Sequence, residues 1–206
     1  MKSNRRLRNR ELTIQTILDT ARAIMREEGV AALSMQELAR RMDMRAPSLY
    51  NYFSGKMEIY DTLFRQGFTL YDKHRKELLK EAEDLHDEIR LNIESYMSFA
   101  LANPELYQLC FERPVPGFVP SKESLELSFG LLNEAYHHIE SLRNTLETDL
   151  SSQQLVDTVI AITHGLTALH LANEPDLPIG QGRFGSLIPV AVSILERAWP
   201  LKGDSK

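Results

Sequence analysis

The sequence predicts an all-α protein. Strand signals are almost absent from the 206 residues, whereas apolar residues recur at the spacing of an amphipathic helix in segment after segment. Proline, glycine and serine separate these segments, as expected of helix ends and loops. We predict an N-terminal three-helix domain over residues 1–56 and a C-terminal helical bundle over residues 57–206.

The charges are distributed unevenly along the chain. Residues 1–60 carry 11 Lys and Arg and 7 Asp and Glu, a net charge of +4, whereas the remaining residues carry 13 and 22, a net charge of −9. Five of the first ten residues are basic and none is acidic: Lys2, Arg5, Arg6, Arg8 and Arg10. Such a segment is typical of a flexible arm that is attracted to a polyphosphate; the alternative is a solvated tail without function.

The first two helices have clear ends. In the first, predicted over residues 11–28, the apolar positions form one stripe, and Gly29 supplies the positive φ that ends a helix. The second begins at Ser34, which is spaced from Glu37 so that the two side chains can form a capping box. The stripe of the first helix consists of Ile14, Ile17, Leu18, Ala21, Ile24 and Met25.

A tight turn and a short third helix follow. The second helix has about two turns before Asp43, a residue type that tolerates a positive φ better than most. Pro47 suits the first turn of a helix because proline has a fixed φ and no N–H. Leu49 and Phe53 fall on one face of this helix, so the residues between them lie on its other sides. Helix, tight turn and helix together form the pattern of a helix-turn-helix.

This third helix predicts a surface that contacts duplex DNA. Side chains in the first turn of a recognition helix lie nearest to the base edges, and Arg45 is suited to a bidentate bond with guanine. The alternative is that the aromatic residues are core residues at helical spacing. We predict base contacts by Arg45, Ala46, Pro47 and Ser48, and phosphate contacts by Tyr50, Asn51, Tyr52, Lys56, Arg5 and Arg6.

Several short motifs in residues 11–64 match those of one known family: Gly29-Val30, Leu38-Ala39, and Arg45-Ala46-Pro47-Ser48-Leu49-Tyr50-Asn51-Tyr52-Phe53 before Lys56. Through them the sequence resembles the TetR-like regulators. The resemblance implies a three-helix DNA-binding domain in which Tyr50, Tyr52 and Lys56 touch the DNA backbone. It also implies a homodimer on a palindromic operator, usually acting as a repressor that a ligand releases.

The rest of the chain predicts further helices. A long fourth helix follows Ser54-Gly55-Lys56, and Ser151 is spaced from Gln154 to form a second capping box. Prolines and glycines mark two loops, at residues 114–120 and 174–182. The remaining helices are predicted at residues 84–102, 104–112, 121–147, 152–172 and 184–198.

The segment Thr163-His164-Gly165 resembles the Trp-His-Gly motif that marks one subgroup of the TetR-like C-terminal domains. The segments Asn103–Tyr107 and Glu196–Trp199 fit the same subgroup. Inside a helix, Gly165 costs about 1 kcal/mol relative to alanine, which predicts a close approach of another helix.

Aromatic residues beside the proline-rich loop predict a site for a small hydrophobic effector, with ordinary core packing as the alternative. Binding there would shift a dimer towards a spacing of its recognition helices that misfits the operator. The predicted lining consists of Tyr96, Phe99, Leu106, Phe111, Phe118 and Phe129.

The last two helices predict the dimer interface, because both have broad apolar faces that could form a four-helix bundle across a two-fold axis. The residues on these faces are Leu155, Val159, Ile162, Leu166 and Leu169 in one helix, and Leu187, Ile188, Val190, Ala191, Ile194 and Leu195 in the other.

Other classes of protein fit the sequence less well. There is no glycine-rich phosphate loop or nucleophile elbow, so we predict no catalytic residues and no cofactor. Glu134 and His138 have a spacing that could ligate a metal, but no third ligand is evident, and we predict no metal site. We interpret His164 as a hydrogen-bonded structural histidine rather than a catalytic base. A purely structural helical adaptor would leave the basic N-terminus unexplained.

We expect a cytoplasmic protein that does not span a membrane. No stretch approaches about 18 uninterrupted apolar residues, and the N-terminus lacks the apolar core and cleavage site of a signal peptide. The single cysteine, Cys110, cannot form an intramolecular disulfide, and we interpret it as a packed thiol.

Overall fold

The computed structural model describes residues 2–202 of the chain. These residues form helices and no strand apart from one isolated antiparallel bridge between Leu146 and Leu201, so the all-α prediction is confirmed. The α-helices are α1 (Lys2–Glu28), α2 (Met35–Arg41), α3 (Ala46–Leu49), α4 (Lys56–Leu78), α5 (Leu85–Ala102), α6 (Pro104–Tyr107), α7 (Lys122–Leu142), α8 (Ser152–Asn173), α9 (Gly182–Gly185) and α10 (Ile188–Ala198).

The chain folds into two compact units. Unit 1 consists of Met1–Phe68 and Asn103–Leu125, and unit 2 consists of Thr69–Ala102 and Glu126–Lys206. The segment after α5 therefore returns to the unit that contains the N-terminal helices. The functional boundary between residues 56 and 57 stays a prediction, because it concerns what each part of the chain does.

Helix α1 is longer than the sequence predicted. We expected a flexible basic arm before a helix starting near residue 11, but α1 already begins at Lys2 and continues without a break to Glu28. The arm prediction is therefore wrong for the described residues. The physical reason is that arginine and leucine favour the helix nearly as well as alanine, and no glycine or proline interrupts the first 28 residues.

The core of unit 1 forms around α1 and the first part of α4. The predicted stripe of α1 is buried from Ile17 to Met25, whereas Ile14 is half-buried. Gly29 has a φ of 94°, as predicted for the end of this helix. From α4, the buried Tyr60 hydroxyl donates a hydrogen bond of 2.6 Å to the carbonyl of Val30. Burial raises the pKa of Tyr60 to about 12, so this donor keeps its proton at neutral pH.

A buried carboxylate joins α1 to α6 within unit 1. The side chain of Glu105 is 0% exposed and accepts hydrogen bonds from the guanidinium groups of Arg22 and Arg26, at 2.8 to 3.0 Å. Arg22 also donates to the side-chain oxygen of Asn103 at 2.8 Å, at the N-terminus of α6. Nothing in the spacing of these residues along the chain predicted this contact.

A second close contact in unit 1 joins α4 to the segment after α6. Residues Gln108–Glu112 form a short π-helix, which ends at Arg113 with a φ of 53°. Its buried Cys110 lies so close to Gly67 that a Cβ atom at Gly67 would be 2.5 Å from the sulfur. Cys110 is 4% exposed, which confirms the interpretation of a packed thiol, and burial raises the pKa of this thiol.

In unit 2, helices α8 and α10 both pack against α5. The core that they enclose includes Ile93, Met97 and Trp199, together with residues that we had assigned to the dimer interface. That part of the interface prediction is wrong, because an amphipathic helix must first bury one face within its own unit. The interface residues found buried inside unit 2 are Leu155, Ile188, Ala191 and Leu195.

The two predicted capping boxes have different outcomes. At α8, Ser151 and Gln154 form the complete box, with hydrogen bonds of 3.2 and 2.9 Å. At α2, the hydroxyl of Ser34 accepts from the backbone N–H of Glu37 at 3.1 Å, as predicted. The Glu37 side chain, however, binds Arg40 and Arg41 instead of the Ser34 N–H, because charged guanidinium donors compete better than a neutral amide.

The later helices follow the predicted order, but one of them ends earlier than predicted and two are divided. The helix predicted over 121–147 ends at Leu142, and the one over 104–112 divides into α6 and the π-helix. The last predicted helix is interrupted between α9 and α10. Pro189 lies in the first turn of α10, where its missing N–H leaves no helical hydrogen bond unmade.

Helix α8 is the one helix in residues 2–202 that is long and apolar enough to cross a membrane by length and composition alone. Its inner face packs on α5 and buries the polar side chains of Thr163, Thr167 and His170. A core helix of a folded unit passes the same length and composition test.

Gly67→Ala should destabilise unit 1, because the added methyl group must displace the Cys110 sulfur. We expect the free energy of unfolding to fall by about 1–3 kcal/mol, as in other overpacked cores. Replacing Cys110 by alanine in the same chain removes the obstructing atom, so the double variant should regain stability relative to Gly67→Ala. Urea unfolding of the two single variants and the double variant measures this coupling, and strictly additive effects would contradict the contact.

Candidate DNA-binding surface

The turn between α2 and α3 has the geometry of a helix-turn-helix. After α2 the chain turns at Asp43, which has a φ of 52°, as the sequence predicted. The turn is held by a backbone hydrogen bond of 2.9 Å from Met44 to the carbonyl of Ala39. Arg45 then precedes α3 in an extended conformation, and Pro47 lies in the first turn of the helix.

Two apolar side chains hold α3 against the core of unit 1. Leu49 is completely buried and Phe53 nearly so, as the sequence predicted. Beyond α3, the backbone N–H groups of Tyr52 and Phe53 both bond to the carbonyl of Leu49, at 2.9 and 3.0 Å. The helical turn therefore continues past the end of α3 and keeps the side chains up to Phe53 in fixed directions.

The side chains that we predicted to contact DNA lie on the outer surface of this segment. Tyr50 is 56% exposed, although it is a large aromatic residue. Arg45, Pro47 and Asn51 are also exposed, and the predicted contacts Ala46, Ser48, Tyr52 and Lys56 are half-buried. The alternative that these aromatic residues are all core residues therefore applies to Phe53 and not to Tyr50. Contact with DNA itself remains a prediction for every one of them.

Two neighbouring arginines of α2 are engaged within the protein. Arg41 pairs with Glu27 and Glu28 of α1 and with Glu37, while Arg40 pairs with Glu37 at 2.7 Å. Hydrogen bonds from Arg40 and Arg41 lower the pKa of Glu37 to about 2. These ion pairs attach α2 to the end of α1.

The N-terminal part of α1 brings additional positive charge to this unit. Arg5, Arg6, Arg8 and Arg10 are all exposed. The guanidinium carbon of Arg10 lies 5.8 Å from the centre of the Tyr52 ring, within the range of a cation–π contact. Arg10 was not among the predicted DNA contacts, although Arg5 and Arg6 of the same basic segment were. An unbroken helical spacing through Arg6 and Arg10 was the signal that could have included it.

The residues predicted to line an effector site are divided between the two units. In unit 1, Leu106 packs at Gly67, Phe111 contacts Phe68 with ring centres 5.1 Å apart, and Phe118 contacts Tyr60 with ring centres 5.7 Å apart. These rings continue the aromatic core along α4.

In unit 2, Tyr96 and Phe99 share a neighbour. The rings of both contact Tyr71, with centres 5.7 and 5.5 Å away. Burial raises the pKa of Tyr71 to about 12, so its hydroxyl stays protonated at neutral pH. Phe129, on α7, is 52% exposed.

Polar side chains of α8 accompany these aromatic residues in unit 2. The hydroxyl of Tyr96 lies 3.0 Å from Nδ1 of His164, the hydrogen bond expected of a structural histidine. The hydroxyls of Thr163 and Thr167 are buried without a hydrogen-bond partner within the described part of the chain. Among residues 2–202, a Cβ atom at Gly165 would meet no atom of another element within 4 Å, so the predicted close helix approach does not occur in this part of the chain.

Glu134 and His138, which we considered as metal ligands, have different neighbours. Glu134 lies 3.3 Å from the Lys76 ammonium group, and His138 lies 2.6 Å from a carboxylate oxygen of Glu88. Among residues 2–202, no group of three or more His, Cys, Asp or Glu side chains is placed to hold a metal ion.

Comparison with protein families identifies the segment around this surface. Residues 17–63 match the family model described as bacterial regulatory proteins, tetR family. This segment is therefore similar to the proteins of that family. The match includes α2, α3, the turn between them and the first part of α4.

Relatives among curated proteins match about half of the chain. An uncharacterised helix-turn-helix transcriptional regulator of Bacillus subtilis (strain 168), YobS, is 34% identical over 99 residues, which are 47% of this chain and 50% of that protein. The chain thus spans about half the length of the curated relatives that it matches.

Solved structures show the fold over nearly the whole chain. A protein of unknown function from Rhodococcus sp. RHA1 has a TM-score of 0.74 at 19% identity, covering 89% of this chain and 93% of that one. The regulator FadR of Bacillus subtilis, in complex with stearoyl-CoA, has a TM-score of 0.71 at 16% identity, covering 89% of this chain and 98% of that one.

Arg45→Ala and Tyr50→Ala should weaken DNA binding in different ways. Loss of a bidentate base contact by Arg45 should cost about 1–3 kcal/mol and relax specificity at one position of the operator. Loss of a phosphate contact by Tyr50 should weaken binding by a similar factor on every sequence. Titration of a panel of single-base operator variants distinguishes the two patterns, with Lys80→Ala, at an exposed basic residue of unit 2, as a control. A loss confined to one base position for Tyr50→Ala would contradict its assignment.

Proposed function

We propose that this protein is a transcriptional regulator that binds a palindromic operator as a homodimer, represses transcription there, and is released by a small hydrophobic effector. The observation that carries the proposal is the division of side chains around α3. Leu49 and Phe53 are buried, while Arg45, Tyr50 and Asn51 of the same short segment are exposed. An exposed set of one arginine, one aromatic and one amide side chain on a short anchored helix suits a major groove.

We assign DNA binding to residues 1–56 and effector binding and dimerisation to residues 57–206. The curated relatives are named as helix-turn-helix transcriptional regulators, which supports a role in binding rather than catalysis. A regulator of this kind acts in the cytoplasm, where the operator DNA is. We also assign the C-terminal part to the subgroup with the Trp-His-Gly motif, represented here by Thr163-His164-Gly165 in α8.

The proposed dimer uses the outer surfaces of α8 and α10. Leu187, at the N-cap of α10, falls on one stripe with Val190 and Ile194, which are 50% and 53% exposed. Large apolar side chains on one stripe at this exposure favour contact with a partner protein. On α8 the residues opposite the buried threonines are small: Ala161, Gly165, Ala168 and Ala172. Because a Cβ atom at Gly165 would find open space among the described residues, the α8 helix of a second copy could approach its backbone closely.

The proposed effector site lies inside unit 2, around Tyr96 and Phe99. These side chains, with Tyr71, provide an aromatic surface, and the unpartnered hydroxyls of Thr163 and Thr167 on α8 are available to a polar group of the ligand. Binding of stearoyl-CoA by the FadR protein supports a ligand with a long apolar portion. The ligand acts by binding more tightly to the dimer conformation that misfits the operator.

The DNA-binding part of the proposal is tested by footprinting on the protein's own upstream region. The expected result is a protected palindromic stretch, with an affinity that falls steeply as salt rises because basic side chains displace counterions from phosphates. An enzyme or a structural adaptor would give neither result. Absence of any symmetric footprint, even at low salt, would overturn the proposal.

Val190→Arg together with Ile194→Arg should convert the dimer to a monomer, because two desolvated charges per protomer would face each other across the two-fold axis. Sedimentation analysis at micromolar concentration should show a dimer for the wild type and a monomer for the variant. Val119→Arg serves as a control, since Val119 is an exposed apolar residue of unit 1 outside the proposed interface. A monomeric wild type would contradict the proposed interface.

A thermal-shift screen that includes stearoyl-CoA and free stearate tests the effector site. A ligand that binds the folded protein raises its Tm by mass action, and the same ligand should release operator DNA in a mobility-shift assay. Phe99→Ala should abolish both effects if Phe99 lines the site. Phe129→Ala, at an exposed position, is the control. An equal loss of the Tm shift and of DNA release in both variants would contradict an effector site at Phe99.

A further inference from the structure

The basic N-terminal part of α1 has a defined orientation, which the sequence analysis did not anticipate. In an α-helix, residues four positions apart are rotated by only about 40° and separated by about 6 Å along the axis. Arg6 and Arg10 therefore lie on one side of α1. Arg8, two positions from Arg10, is rotated by about 200° and points to the opposite side.

Contact with Tyr52 identifies which side of α1 faces the DNA-binding surface. Arg10 lies over the ring of Tyr52, and Tyr52 follows α3 directly. The side of α1 that carries Arg6 and Arg10 is therefore next to the exposed segment of α3. Arg6 is exposed and lies one helical turn beyond Arg10, away from the core of unit 1.

We propose that the N-terminal turns of α1 form a rigid extension of the DNA-binding surface, in which Arg6 and Arg10 contact backbone phosphates beside the bases that α3 contacts. This inference rests on the proposed function and specifies one part of its DNA contact. The partner is duplex DNA because all charged residues among the first ten are basic, whereas the chain after residue 60 has a net negative charge. In this proposal the N-terminal turns of α1 run along the duplex, where a helical turn of about 6 Å corresponds to roughly two base-pair steps, so Arg6 would reach about two base pairs farther than Arg10.

Rigidity distinguishes this extension from a flexible arm. An arm that is mobile in the free protein loses conformational entropy when it binds, whereas a helix that is continuous with the core does not. The arginines of a helix also keep fixed positions relative to α3. Each of them should therefore make a distinct contribution to DNA binding that depends on its side of the helix and not only on its charge.

Arg6→Ala and Arg8→Ala form a matched pair for the test. Each removes one positive charge from an exposed position of the same helix, and alanine preserves the helix. In salt titrations with the footprinted operator, each phosphate contact contributes about 0.9 to the slope of log Kobs against log salt. We expect Arg6→Ala to reduce this slope by about 0.9 per protomer and to weaken binding several-fold on every sequence, whereas Arg8→Ala leaves the slope unchanged.

Shortening the operator duplex locates the contact. As base pairs are removed from both ends, the wild type should begin to lose affinity at a duplex about two base pairs longer at each end than Arg6→Ala does. On duplexes too short for this contact, the wild type and Arg6→Ala should bind equally. Equal behaviour of the two proteins at every length would overturn the proposal.

A glycine pair tests whether the extension acts as a helix. Glu11→Gly with Leu12→Gly weakens α1 between the extension and the core, and Glu11→Ala with Leu12→Ala is the control with the same side chains removed. The glycine variant should bind DNA at least as weakly as Arg6→Ala, because it uncouples both Arg6 and Arg10 from the core, while the alanine variant should bind more tightly than the glycine variant. Unchanged affinity of the glycine variant would show that a flexible arm suffices.

The outcomes separate this inference from the proposed function. If the wild type gives no symmetric footprint, the proposed function fails. If the wild type gives the footprint but Arg6→Ala and Arg8→Ala lose affinity equally, the basic segment acts by general attraction and the inference is wrong. If neither variant loses affinity, the segment is a solvated tail and the inference is again wrong.

Discussion

The buried carboxylate of Glu105 is the constraint on which the arrangement of unit 1 depends. A carboxylate removed from water is costly unless charged donors surround it, and here the guanidinium groups of Arg22 and Arg26 supply them. This geometry fixes α1 against α6 at two successive turns of α1. Because α1 carries both the basic N-terminal extension and the contacts to α2, its position determines where the exposed residues of α3 lie within the unit.

The segment that we propose to bind DNA depends on a strict separation of buried and exposed side chains over a few residues. Leu49 and Phe53 pack into the core and fix the orientation of the segment. Its exposed side chains are therefore held in place although α3 is short. Asp43 accommodates the tight turn before α3 although it is not a glycine. Arg41 binds glutamates of both α1 and α2, which connects the turn region to the end of α1 through ion pairs as well as apolar packing.

Unit 2 combines an apolar core with polar groups that have no evident structural use. Buried hydroxyls in helices usually bond to a carbonyl one turn earlier, as Thr158 does in the same helix α8. Thr163 and Thr167 do not, and a buried hydroxyl without a partner lowers stability. Structures tolerate such groups mainly where a water or a ligand completes them. This is the physical reason for placing the effector next to α8 rather than in the aromatic core of unit 1.

Local features of the sequence determined the helical fold, the positive φ of Asp43, the capping box of Ser151 and the buried pair Leu49 and Phe53, because each depends on residues within one or two turns of each other. Tertiary structure decided the rest. The contact of Glu105 with Arg22 and Arg26 joins residues about 80 positions apart, and no periodicity encodes such a distance. The sequence also predicted apolar faces for α8 and α10 but not which side each helix buries against α5, since that choice depends on which neighbour competes for the face.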